Sequence, residues 1–160
     1  MTGPVLVRAG QPFDAGAMAT MLNAIIARGG TTALTSPVTG DGLRDWMAQG
    51  DVWHVAECAG EVIGFQWLGA HPDLAPDTAD VATFVAVGRH GTGAGSALWE
   101  ATRRAARERG WRFAVAVIRA DNAGGLAYYG SRGFEEVERL PRQVLEDGTV
   151  VDKVVKRIRL

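Results

Sequence analysis

The stretch Val85-Ala86-Val87-Gly88-Arg89-His90-Gly91-Thr92-Gly93-Ala94-Gly95-Ser96-Ala97-Leu98 constrains this chain more than any other. An apolar strand runs into glycines at 91, 93 and 95, and an alanine-rich helix follows at once. Glycine lets the backbone turn so that several N–H groups point into one small volume, and the new helix adds the positive end of its dipole. That construction suits a phosphate or pyrophosphate. The competing reading is a glycine-rich turn that serves tight packing alone.

Spacing narrows the ligand. A dinucleotide fingerprint needs G-x-G-x-x-G/A and an acid about 20 residues on. Here Ser96 falls in the third place and no acid closes the next strand near that distance. A Walker loop is excluded because no lysine follows the glycines. A formal net charge of −1 argues against a dedicated nucleic-acid binder. A single cysteine, Cys58, excludes an intramolecular disulfide framework and fits a reducing compartment. With no signal-peptide pattern after Met1 and no bilayer-length apolar run, the expectation is a cytoplasmic, soluble protein without membrane association.

At 160 residues, with 47% hydrophobic residues, the chain reads as one domain spanning 1–160. Val5 to Arg8 reads as the first strand, and Phe13 to Ile26 as a helix with Asp14 as its cap. A second helix is expected over Gly42 to Ala48, then paired strands over Val52–Cys58 and Val62–Ala70, then a loop over 71–78. Asp80 to Val87 is the strand that enters the glycines. The helix after them, about 94–109, should turn Ala94, Ala97, Leu98, Ala101 and Ala105 inward. A strand over Phe113–Arg119, a helix over Asn122–Ser131 and strands over Val137–Leu140 and Val150–Ile158 complete a mixed α/β sheet.

A second constellation, Asn122-Ala123-Gly124-Gly125-Leu126-Ala127-Tyr128-Tyr129-Gly130-Ser131-Arg132-Gly133-Phe134, selects among phosphate ligands. Together with His90-Gly91-Thr92-Gly93-Ala94-Gly95 it resembles the GNAT superfamily of acetyl-CoA-dependent N-acetyltransferases. That family cradles the CoA pyrophosphate with Arg/Gln-x-x-Gly-x-Gly/Ala, and its later pattern places Asn, Tyr and Gly-Phe as Asn122, Tyr129 and Gly133-Phe134 stand here. Segments 23–33 and 147–156 are similar to the phosphinothricin and small-amino-acid acetyltransferases. One departure is His90, which stands where arginine or glutamine is usual; Arg89 is the neighbouring cation that could compensate.

The resemblance implies the GNAT fold: a mixed, mostly antiparallel central sheet of about seven strands with helices on both faces. It implies acetyl-CoA as cosubstrate, no metal, and by analogy a homodimer. Residues 90–96 (His90, Gly91, Thr92, Gly93, Ala94, Gly95 and Ser96) and Asn122 would bind the cofactor, with backbone groups at Val85 and Val87 pairing with the pantetheine arm. Tyr129 occupies the general-acid position, and a phenol of pKa about 10 suits protonation of a departing thiolate of pKa about 8.5. Tyr128, one helical step away, should face elsewhere and pack. Asp80 is the candidate base, with a solvated strand-end acid as the alternative; His54 and His71 are weaker candidates. Asn23, Arg28, Thr31, Thr32 and Phe84 should line the acceptor pocket, with Phe65 and Trp67 readable as wall or core.

The expected function is acetyl transfer to the primary amine of a small molecule, an amino acid or an analogue such as phosphinothricin. The alternatives are protein N-terminal or lysine acetylation, and a non-catalytic acyl-CoA-binding module.

Overall fold

Seven strands form one sheet in the order β1-β2-β3-β4-β5-β7-β6, and the computed structural model describes residues 3–160. The strands are β1 (Val5–Ala9), β2 (Val52–Cys58), β3 (Glu61–Gly69), β4 (Thr78–Val85), β5 (Phe113–Arg119), β6 (Glu135–Val144) and β7 (Val150–Arg159). Neighbours pair antiparallel except β4 and β5, which run parallel. The sheet is therefore mixed and mostly antiparallel, as expected.

Helices α1 (Ala15–Arg28) and α2 (Gly40–Met47) cover one face, where Met18, Leu22 and Leu43 pack on Val55, Phe65 and Trp67. Helices α3 (Ala94–Glu108) and α4 (Ala123–Ser131) cover the other, around Leu68, Val81, Trp99, Ile118 and Phe134. Alternation along each strand sends neighbouring side chains to opposite layers, so Trp67 and Leu68 serve different cores.

Several expectations shift for physical reasons. β4 starts at Thr78, two residues early, because Thr78 and Ala79 pair with Phe113 and Ala114 of β5. It ends at Val85, and the turn at Gly88 (φ 81°) follows, so Val87 lies beyond the strand. Asp14 makes no cap hydrogen bond to α1; its buried carboxylate accepts from Arg8 through two 2.8 Å bonds and from the Gln11 N–H at 2.7 Å. The inward stripe of α3 is Ala94, Leu98, Trp99, Thr102 and Ala106 rather than an alanine row. Trp99 turns inward because its ring packs on Phe134, with centroids 5.1 Å apart. β6 is longer than its apolar residues suggest, since the backbone ladder to β7 carries exposed Glu135, Glu136 and Glu138.

Among the described residues, no helix is long and apolar enough to cross a membrane. Cys58 is buried and free.

Candidate active site

β4 and β5 pair only through Thr78–Phe113, Ala79–Ala114 and Asp80–Val115. Beyond Asp80 the strands separate: β4 stays with β3 as far as Val85–Gly64, while β5 stays with β7 as far as Arg119–Lys153. The β4 edge from Val81 onward thus presents backbone N–H and C=O groups to the gap rather than to a neighbouring strand. Val85 ends that edge, whereas Val87 sits in the turn with its side chain exposed.

The glycine loop closes one end of the gap. Gly91 (φ 81°) and Gly93 (φ 88°) hold left-handed backbone that other residues rarely adopt. Gly93 is the N-cap of α3 and makes no side-chain cap bond. The first turn of α3 therefore borders the hollow lined by residues 89–96, Val85, Tyr128 and Arg132, with the Ala94 N–H donating to Thr92 Oγ1 at 3.4 Å. Gly95 serves differently. A Cβ there would lie 2.7 Å from Tyr128 Cε1, so this glycine admits a tyrosine ring. Arg89 is held by Glu61, with Nη2 2.8 Å from Oε2.

Both tyrosines of α4 turn their hydroxyls towards the gap. Tyr129 Oη lies 2.7 Å from Thr83 Oγ1, and Gln66 Nε2 donates to the same Thr83 oxygen at 2.8 Å. Tyr128 does not face elsewhere as expected. Its hydroxyl donates to the Gly95 carbonyl at 2.7 Å and accepts from Gln66 Nε2 at 3.2 Å. The i,i+1 offset is overcome because the rings meet edge to face, with centroids 4.9 Å apart. Burial pushes the Tyr129 phenol well above its ordinary value, so it stays protonated.

Asp80 is the third residue of β4 rather than its first. Burial pushes its carboxyl up to about 6, against an opposing pull from His71 and a hydrogen bond from the Val81 N–H. It is close enough to Tyr129 that its charge raises the phenol further. His71 itself lies in an exposed loop beside Asp73. His54 is 3.2 Å from Thr102 on α3, and burial lowers its pKa. That contact ties a strand to a helix and does not bring His54 to the gap.

The expected acceptor residues fall into different roles. Asn23 holds Val38 by two bonds, Nδ2 to the carbonyl at 2.9 Å and Oδ1 from the N–H at 2.7 Å, which fixes the α1–α2 connection. The carbonyl of Thr31 accepts from Asn122 Nδ2 at 3.1 Å, and that of Thr32 accepts from Arg119 Nη1 at 3.1 Å. Arg28 is exposed at the end of α1. Phe84 packs on Phe65 with centroids 5.0 Å apart, and Trp67 is core, its Nε1 bonded to Asp51. Asn122 also caps α4, its Oδ1 accepting from the Gly125 N–H at 2.9 Å.

Sequence reasoning missed Thr83, Gln66, Arg119 and Arg132. The legible signal was polar interruption of apolar strands, Gln66 between Phe65 and Trp67 and Thr83 between Ala82 and Phe84. Among the described residues, no group of three or more His, Cys, Asp or Glu side chains could hold a metal ion.

The strand gap therefore opens onto a glycine-lined helix N-terminus, with a buried phenol between. The chain matches the acetyltransferase (GNAT) family over residues 26–134. It belongs to that family and is an acetyltransferase. No curated protein matches it. Among solved structures it is similar to ribosomal-protein-alanine N-acetyltransferase from Brucella melitensis, at 25% identity and a TM-score of 0.89, covering 97% of this chain and 99% of that one. A phosphinothricin acetyltransferase from Sinorhizobium meliloti in complex with acetyl-CoA shares 19% identity and a TM-score of 0.88, over 100% of this chain and 89% of that one. The yncA protein of Salmonella typhimurium, solved with acetyl-CoA, shares 22% identity and a TM-score of 0.87, over 98% of this chain and 94% of that one.

Proposed function

We propose that this enzyme acetylates the primary amine of a small molecule, an amino acid or an analogue of phosphinothricin type. The observation that carries this reading is the pinned α1–α2 connection. Asn23 ties one end to Val38, and Thr31 and Thr32 are tied to Asn122 and Arg119 across the end of β5. A connection held at these points lies beside the end of β5 and favours a compact acceptor over an extended peptide. The fold-level likeness to the Sinorhizobium meliloti enzyme agrees with it.

In this reading the glycine loop and the α3 N-terminus hold the pyrophosphate, and the free β4 edge up to Val85 holds the pantetheine arm. Acetyl-CoA supplies an activated thioester carbonyl. Asp80, ionised above about pH 6, takes the proton from the acceptor ammonium. Thr83 accepts from Gln66, and with Thr83 as the donor in its 2.7 Å contact with Tyr129 the phenol proton is free for the departing thiolate.

A protein N-terminal amine is the second reading, favoured by the likeness to the Brucella melitensis enzyme. Thiol release from acetyl-CoA, followed with a panel of small amino acids and analogues against N-terminal peptides, separates the two. Turnover with peptides alone would overturn the small-amine reading. By family analogy we also read residues 1–160 as one domain that works in the cytoplasm as a homodimer, which sedimentation of the purified protein would test.

A further inference from the structure

The glycine loop lacks the basic side chain usual at its first position, since His90 stands there. Its neighbour Arg89 borders the same hollow and is paired with the exposed Glu61. A third basic residue reaches the same hollow from another element. Arg132, the C-cap of α4, donates from Nη2 to Ser96 Oγ in the first turn of α3, and its guanidinium carbon lies 4.8 Å from the Tyr128 ring centroid. Tyr128 is in turn fixed to the Gly95 carbonyl. Among the described residues Arg132 has no carboxylate partner, and its buried Nε has no hydrogen-bond partner at all.

A guanidinium held beside a helix N-terminus faces the positive end of that dipole. The arrangement is unfavourable alone and favourable around an anion, because both groups then act on one negative charge. We propose that Arg132 is the side chain that clasps the pyrophosphate of acetyl-CoA, in place of a basic residue at position 90. Stacking on Tyr128 fixes the plane of the guanidinium, so its fork meets two phosphate oxygens without first being ordered.

Calorimetric titration of the full chain with CoA and with dephospho-CoA tests this. Arg132→Met keeps the aliphatic stem on Tyr128, and its melting temperature without ligand reports whether the fold is intact. It should weaken both ligands by about 10- to 100-fold, whereas Arg132→Lys, which keeps the charge and loses the fork, should fall between. In the Arg132→Met background, His90→Arg should restore most of the affinity. Unchanged CoA affinity in a folded Arg132→Met protein would overturn the proposal. So would a loss seen with CoA and absent with dephospho-CoA, which would assign Arg132 to the 3′-phosphate. A His90→Arg/Arg132→Met protein as weak as Arg132→Met alone would refute the exchange of roles between the two positions.

Discussion

Tyr129 Oη lies 2.7 Å from Thr83 Oγ1, across the gap that opens where β4 leaves β5. The pair links an α4 side chain to the strand edge that borders this gap. Thr83 is itself held by Gln66, its register partner on β3. The phenol is thereby placed by three elements rather than by its own helix.

Removing the Tyr129 hydroxyl should therefore separate chemistry from binding. Tyr129→Phe is expected to lower kcat on the order of 10²-fold and to leave the CoA dissociation constant within about twofold. Thr83→Val should also lower kcat, by less, because the phenol survives and only its orientation is lost. Steady-state kinetics beside calorimetric CoA titration reads both. Unchanged turnover in Tyr129→Phe would show that another donor protonates the thiolate.

Asp80 links activity to stability with opposite signs. Its folded-state value of about 6 lies above the ordinary 3.8. The stability it contributes is full below about pH 4 and is lost as pH rises to about 6, at most about 3 kcal/mol in all. Asp80→Asn should therefore raise the melting temperature at pH 8 while removing the ascending limb near pH 6 from kcat/KM. A variant less stable than wild type at pH 8, with an unaltered profile, would make Asp80 a structural acid.

Two glycines of the loop should fail in different ways. Gly93→Val forces a β-branched residue to φ 88° at the N-cap of α3 and crowds the cradle, so CoA affinity should drop by at least about tenfold. Gly95→Ala meets the Tyr128 ring instead and should cost about 1–3 kcal/mol of stability as that ring is displaced. Thermal melting with and without CoA distinguishes them.

The Arg8–Asp14 pair should matter to stability and not to catalysis. Asp14 is 3% exposed, and Arg8 holds its carboxyl below the usual range. Asp14→Ala should cost on the order of 1–3 kcal/mol at pH 7, by leaving the Gln11 N–H and the guanidinium without their acceptor. Because the folded-state value is depressed, that stabilisation is present above about pH 4 and fades as pH falls further. Denaturant melts at pH 7 and pH 3 should show the difference between the two proteins shrink, with kcat unaffected at pH 7.

Local sequence was enough for the elements themselves. Glycine spacing fixed the strand-to-helix joint, because positive φ at Gly91 and Gly93 is a property of the residue and needs no partner. The Asn122-to-Phe134 spacing marked α4 and its cap for the same reason, since an Asn side chain bonds its own backbone three residues on. The boundaries of β4 were not legible, because its first two residues are drawn into the sheet by β5, more than thirty residues later.

What tertiary structure alone decided is which side chains meet. Gln66 and Thr83 show only as polar breaks in apolar strands, and Tyr128 and Arg132 carry no pattern that announces a site. These four converge because one parallel pairing stops at Asp80 and lets two strands part, while Arg119 turns to Asp121 and the Thr32 carbonyl. The sequence by itself determined a glycine loop and its helix, through backbone geometry coded residue by residue. The geometry around Tyr129 and Asp80, and the solvation that shifts both groups, arises from burial by distant elements, and only the folded chain sets it.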